Sequence, residues 1–364
     1  MSRQRVLFVT IVPSPYQRDL FHALASRDDV ELSVCYMESA SPDSPWPKTK
    51  LETYERILPG FWVSAFGARW HANWALPDVA RFDFVVLSSF TSLTGQWLMR
   101  LRLTNRRWLF WGERLRHQTN PWRRVAQKKL TAPLANATAI VSVGHAAEND
   151  YRQRFPGTRH FCIPYHCNLS GFLAQPRRPK STSETHFLFC GQMNRRKGID
   201  LLLTAFDRLV GKGANTYLSL VGREAELPEF LRAISAAARA RINYVGFQSP
   251  ESLPQYFSQA DVFILASRYD GWGVVVNQAL GAGLPVICSD AVGAGLDLVE
   301  NNVNGLRFAS GNMDELEQCM ERVVSSPEAA WAWGEASRRK AQSLSPKAGA
   351  EQWVHVFQTL SSAG

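Results

Sequence analysis

The part of this sequence best equipped for chemistry is a short segment holding Asp270, Gly271, Gly273 and Gln278. Gly271 and Gly273 let the backbone approach a ligand closely, and the run that follows has the spacing of a helix starting near Gly273. The unpaired N–H groups and positive dipole end of that helix point at the ligand. Such a terminus is an anion site, best suited to phosphate. Asp270 would repel phosphate, so it either caps the helix or accepts hydrogen bonds from sugar hydroxyls. Gln278, further along the same helix, can serve a second polyol such as ribose.

The elements that must position these residues read clearly. Short β-rich apolar runs at 5–10, 30–36, 83–88, 107–111 and 137–143 alternate with helical patterns. Further runs at 186–190, 216–221, 241–245, 261–265, 285–289 and 305–308 repeat the alternation, with helices predicted over 199–209 and 227–239. Alternation of this kind means βαβ units and parallel sheets. Between the two sets lies 169–186, polar and proline-bearing, read as a linker. The expectation is an α/β protein with two facing Rossmann-like domains, 1–168 and 187–326, and a cleft beyond the C-terminal ends of their strands. The helices over 327–364 carry Trp331, Trp333, Trp353 and Phe357, which either pack back across the cleft or fill the second domain's core.

Composition fits this. The chain has 364 residues, 45% hydrophobic and 20% charged, enough for two buried cores and incompatible with disorder as the main state. No apolar stretch approaches the roughly 20 residues that cross a bilayer. The apolar run at 6–12 is too short for the core of a signal peptide, so a cytoplasmic protein is expected. Six scattered cysteines read as free thiols in a reducing compartment. Charge is uneven: residues 1–180 hold 25 Lys and Arg against 13 Asp and Glu, while 181–364 hold 16 against 19. Residues 100–129 concentrate ten basic side chains against Glu113 alone, interleaved with Trp108, Phe110, Trp111 and Trp122. That pattern suits an anionic membrane surface, although the strand within it must place some of the aromatics in the core. Nucleic acid explains the charge equally but no recognised binding motif accompanies it, so none is expected.

Taken together, the segment at 266–287 resembles the retaining glycosyltransferases of family 4 (glycosyl transferases group 1), in which two carboxylates eight apart bracket the start of this helix. The stretch 187–200, with Gly191, Lys197 and Gly198, looks like that family's diphosphate motif. Segments 218–222, 244–247 and 259–267 match in the same order. The resemblance implies a GT-B fold and a donor site made of Gly191, Gln192, Arg196, Lys197, Val245, Phe247, Asp270, Gly271, Trp272, Gly273, Val274 and Gln278. In it the Lys197 ammonium neutralises the diphosphate of a UDP- or GDP-sugar and stabilises it as a leaving group. Asp270, Lys197 and Glu113 are the implied catalytic residues. Two positions depart from the family: Gln192 stands where Arg is usual and Gln278 where the second Glu is usual. Arg195 or Arg196 can restore the first charge, and an amide can still hydrogen-bond ribose.

On the acceptor side the resemblance implies Ser14, Tyr16, Arg18, Glu113, Arg114 and His117, with Glu113 either orienting an acceptor hydroxyl or forming a salt bridge. The implied reaction is metal-independent transfer of a hexosyl unit to a lipid-linked or saccharide acceptor in surface polysaccharide, lipopolysaccharide or glycolipid biosynthesis. It uses no cofactor beyond the donor and takes place at the inner face of the cytoplasmic membrane. No Asp-x-Asp triplet of the magnesium-dependent type occurs. A nucleotide-sugar epimerase of the same fold, or a non-catalytic sugar-nucleotide or nucleic-acid binder, is the alternative.

Overall fold

The computed structural model describes residues 3–40, 50–65, 68–177 and 184–362. The chain divides into two compact units, Met1–Cys167 with Pro346–Gly364, and Asn168–Ser345.

The first unit is built on a sheet of seven strands in the order β3-β2-β1-β6-β7-β8-β9. These are β1 (Gln4–Thr10), β2 (Val30–Tyr36), β3 (Glu55–Ile57), β6 (Phe84–Leu87), β7 (Trp108–Gly112), β8 (Ala139–Ser142) and β9 (Arg159–Cys162). Every neighbouring pair is parallel. A parallel sheet is covered on both faces, which is why β1, β6, β7 and β8 read as nearly unbroken apolar runs. A separate antiparallel ribbon, β4 (Gly60–Ala65) with β5 (Ala68–Asn73), stands outside the sheet.

The second unit has six parallel strands in the order β12-β11-β10-β13-β14-β15. They are β10 (Thr185–Cys190), β11 (Thr216–Val221), β12 (Ile242–Gly246), β13 (Val262–Leu265), β14 (Val286–Ser289) and β15 (Gly305–Phe308). From β10 the chain proceeds outward through β11 and β12, then returns to β13 on the other side. The order therefore reverses between β10 and β13, and in open α/β sheets the crevice at such a reversal is where ligands bind.

The eleven apolar runs are strands to within two residues. Strands β3 and β9 and the ribbon escaped the sequence reading, because β3 and β9 are half-polar edges and a two-stranded ribbon carries no run length. The helix expected over 227–239 is two short ones, Leu227–Arg232 and Ala236–Arg239, because Ser235 accepts the Ala238 N–H and starts a new cap. The segment before 178 is not a free tether: the Arg177 guanidinium lies 3.8 Å over the Trp331 ring and 2.7 Å from Glu335, within the second unit. The rest of the expected linker, 178–183, lies outside the described residues.

Helix Pro327–Ala341 also stays with that unit, burying Trp333. Pro346 then starts a new helix, Pro346–Ser362, that belongs to the first unit. There Trp353 packs edge-on against Phe8 and Trp111, and Phe357 stacks on Phe84 at 5.1 Å. Trp333 and Trp353 are thus core residues, but of two different cores, while Trp331 is half-buried beneath Arg177. None of the six cysteines forms a disulfide, and no helix among the described residues is long and apolar enough to cross a membrane.

Candidate functional site

Two loops leave the sheet of the second unit at its reversal point: 191–198 after β10 and 266–274 after β13. The first begins where Gly191 N–H donates to the Val221 carbonyl, 2.9 Å away, and turns into a single helical turn, Arg195–Lys197. Asn194 caps that turn, its side-chain oxygen accepting the Lys197 N–H at 3.0 Å. Gly198 follows at φ +72, and a Cβ there would lie 1.9 Å from the Ala266 carbonyl oxygen. Only glycine lets the two loops meet backbone to backbone. Gly198→Ala is therefore expected to separate them, lowering the midpoint of thermal unfolding by several degrees and weakening donor binding in calorimetry.

Arg268 fastens the same two loops. Its guanidinium is bidentate on Asp200, at 2.7 and 2.8 Å, and also donates to the Arg195 carbonyl at 2.6 Å. Its backbone N–H donates to the Arg196 carbonyl at 2.8 Å, while the Arg196 side chain donates to the Tyr269 carbonyl at 3.1 Å. The second loop is held from the far side by an isolated bridge between Asp270 and Val292. In addition, Ala294 N–H donates to the Trp272 carbonyl at 2.8 Å. Gly273 follows at φ +89, where a Cβ would lie 3.4 Å from the Asp270 carboxylate carbon, before the helix Val275–Gly281 begins.

The result is that Lys197 and Asp270, far apart in sequence, form an ion pair, Nζ to Oδ2. Each side chain retains only a small exposed fraction, 15% and 12%. An ammonium and a carboxylate beside a glycine-rich turn can together serve a ligand that is anionic at one end and rich in hydroxyls at the other. Gln278 is half-exposed on the helix, and its side-chain amide makes no hydrogen bond among the described residues. Gln192 is likewise half-exposed. Phe247, just past the end of β12, is 44% exposed. Val245 lies near that end and is half-buried.

Residues 174–340 match the family model for glycosyl transferases group 1. The chain is similar to that family over this part of its length. Its fold is GT-B: sucrose-phosphate synthase from Thermosynechococcus elongatus superimposes with a TM-score of 0.75 at 20% identity over 100% of both chains. Anabaena HepE, solved in complex with UDP-glucose, gives 0.71 at 15% identity over 98% of this chain and 100% of its own. Among curated relatives, the O-antigen chain mannosyltransferase B of Escherichia coli is 28% identical over 155 residues, 42% of this chain and 37% of that protein. The chain spans between 36% and 60% of the length of the first curated relatives it matches.

Several expected site residues take other places. The Trp272 side chain is buried and donates to Asn277 Oδ1 at 3.0 Å, so it supports the helix from inside the core. Arg195 turns toward Phe230 and Asp200, leaving Arg196 as the basic neighbour of the Asp270 loop. In the first unit Arg18 does not face a ligand: it is buried in a bidentate pair with Glu55, at 2.8 and 2.6 Å. Ser14 is buried too, donating to Gln17 Oε1 at 2.9 Å.

Glu113, at the end of β7, accepts the Tyr165 hydroxyl at 3.0 Å, and Tyr16 packs against that ring at 4.8 Å. Burial, first of all, and the adjoining Glu113 carboxylate push the Tyr165 hydroxyl pKa well up, so it donates to Glu113 at any ordinary pH. Arg114 approaches Asp150 at 3.9 Å, and His117 is exposed. Trp108, Phe110 and Trp111 are core residues, which leaves Trp122 as the surface aromatic of the basic run. The sequence reading missed Arg268 and Asp200 altogether. Neither falls in a glycine or capping pattern, and only the meeting of the two loops gives the pair a purpose.

Proposed function

We propose that this chain transfers a hexosyl unit from a UDP- or GDP-sugar to a saccharide or lipid-linked acceptor, with retention, in the assembly of a surface polysaccharide or glycolipid. The observation that carries this reading is the Lys197–Asp270 pair at the reversal point of the second sheet, beside Gly273. The family match, the UDP-glucose named with HepE and the O-antigen chain named for the E. coli relative support it.

Lys197 supplies positive charge to the diphosphate, with Arg196 adding long-range attraction. Asp270, fixed by the same ammonium, accepts hydrogen bonds from the sugar hydroxyls. Gln278 offers its free amide to the ribose, and the Phe247 ring offers a face to the base. As the bond from the anomeric carbon to the diphosphate oxygen breaks, the acceptor oxygen bonds that carbon on the same face. The departing phosphate oxygen takes the acceptor's proton. Lys197 stabilises the charge growing on the leaving group, a role that matters more in the transition state than in the ground state. The reaction so written needs no cofactor beyond the two substrates.

A panel of UDP- and GDP-sugars tests the donor site. The matching donor at a hundred times its Kd is expected to add about 2.7 kcal/mol to stability, read as a rise in thermal midpoint. A flat response to every donor overturns the proposal. Product analysis with donor alone should show no epimerised sugar.

The basic run belongs to the same reading. Helix Pro121–Thr131 presents Trp122, 81% exposed, together with Arg123, Arg124, Lys128 and Lys129. Such a surface suits the anionic inner face of a cytoplasmic membrane, where a lipid-linked acceptor would be found.

A further inference from the structure

Most of the large apolar side chains left exposed among the described residues lie between Phe61 and Val125, in the first unit. The β4–β5 ribbon is their most unusual holder. A strand that covers a core alternates buried and exposed residues, yet Phe61, Trp62 and Val63 are exposed in succession, at 59%, 40% and 53%. Strand β5 is the anchored side. His71 on it is buried and its carbonyl accepts the Thr94 hydroxyl at 3.1 Å, while Asn73 N–H donates to Thr94 at 2.9 Å. Strand β4 is the outer edge, paired among the described residues with β5 alone.

The ribbon is continuous with the basic helices. Thr94 lies on helix Leu93–Trp97. From that helix Gln96 donates to the Leu130 carbonyl at 2.8 Å, and Arg100, just beyond, to the Lys129 carbonyl at 3.0 Å. Charge and aromatic surface are interleaved across the join. The Arg69 guanidinium lies 5.3 Å from the Trp62 ring and that of Arg102 5.4 Å from the Trp97 ring. No acidic residue occurs between Glu55 and Asp78.

We infer that the β4–β5 ribbon is the element that enters the membrane interface, inserting Phe61, Trp62 and Val63 at headgroup depth while the neighbouring basic helices hold the anionic surface. This rests on the membrane reading above. An edge strand with open N–H and C=O groups cannot enter the hydrocarbon. Aromatic rings backed by guanidinium groups are instead suited to the wet boundary, where one end of the ring is apolar and the other meets water. Basic charge draws the ribbon to an anionic lipid surface in preference to a neutral one.

The test is co-sedimentation with phosphatidylglycerol-containing vesicles and with pure phosphatidylcholine vesicles, at low and high salt. The wild-type chain is expected to bind the anionic vesicles. The double variant Phe61→Ser, Trp62→Ser should bind them about tenfold or more weakly, from the lost apolar burial, with an unchanged thermal midpoint. Arg123→Ala with Arg124→Ala should instead reduce the salt sensitivity. Hydrogen exchange of the wild-type chain, independent of any variant, should show residues 60–65 protected by anionic vesicles. Wild-type binding with no loss in the double variant and no protection of the ribbon overturns this inference and leaves the basic surface standing. No binding by the wild type overturns the membrane reading itself. A dimer that the double variant dissociates, with vesicle binding unaltered, assigns the edge to a second copy of the chain and likewise overturns the inference.

Discussion

Lys197→Ala is expected to lower kcat/KM for sugar transfer by about 10²–10³-fold, the cost of removing one preorganised group from a developing oxyanion. The ammonium sits at the end of a capped turn, its backbone N–H fixed by Asn194, and reaches Asp270 on the neighbouring loop. Its removal also leaves the Asp270 carboxylate without its partner. That stability loss should fall below the roughly 3–5 kcal/mol of a fully buried pair, since both side chains keep some contact with water. The two effects separate cleanly. Adding Asp270→Asn to Lys197→Ala removes the stranded charge and restores the thermal midpoint, while the rate stays low. Steady-state kinetics of nucleotide release, alongside thermal unfolding of both variants, reads both quantities. A rate equal to wild type would mean that Lys197 serves Asp270 alone.

Arg18→Ala is expected to act on stability. Glu55 is enclosed, and its carboxylate is held by the Arg18 fork, by the Tyr36 hydroxyl at 2.6 Å and by the Glu52 N–H at 2.9 Å. Removing the guanidinium strands a buried charge, at a cost of about 3–5 kcal/mol and a fall in thermal midpoint on the order of 10 °C. The pH dependence carries a sign. Burial by itself raises the Glu55 pKa, but the hydrogen bonds from Arg18, Glu52 and Tyr36 outweigh it and hold the value below the ordinary 4.5. A lowered folded pKa contributes stability above the unfolded value, and that contribution is lost as pH falls through the folded one. The wild type should therefore lose this contribution on acidification below pH 4.5, whereas Arg18→Ala should gain stability as pH falls toward 4.5 from above, because burial raises the pKa of the stranded carboxylate and protonation neutralises it. An unchanged midpoint with a raised KM for acceptor would return Arg18 to a binding role.

These two residues mark the boundary of what the chain's spelling reveals. Asp270 was legible as a candidate because it stands beside glycines in a strand-loop-helix segment, where local spacing dictates a turn with accessible backbone, whereas Lys197 entered through the resemblance of its segment to a diphosphate motif. The strands were legible for a similar reason: a parallel sheet buries both faces, so its strands are written as uninterrupted apolar runs. Arg18 was misread as facing a ligand because a basic side chain after the first strand looks the same whether it meets solvent or a carboxylate. Its partner Glu55 lies on β3, a short half-polar edge with no periodic signal. The ribbon at 60–73 was invisible for lack of length, and its apolar residues passed as ordinary.

By itself the sequence determined two doubly wound sheets, a glycine-bearing turn on the second and a basic, tryptophan-rich first half, because these depend on periodicity and composition along the chain. Tertiary structure alone decided that Arg268 and Asp200 lock the Lys197 and Asp270 loops together, that Trp272 is a support and not a contact, and that the last helix completes the first core. Each of these is a pairing between residues distant along the chain. Such pairings are fixed by which strands neighbour one another, and no local pattern records that choice.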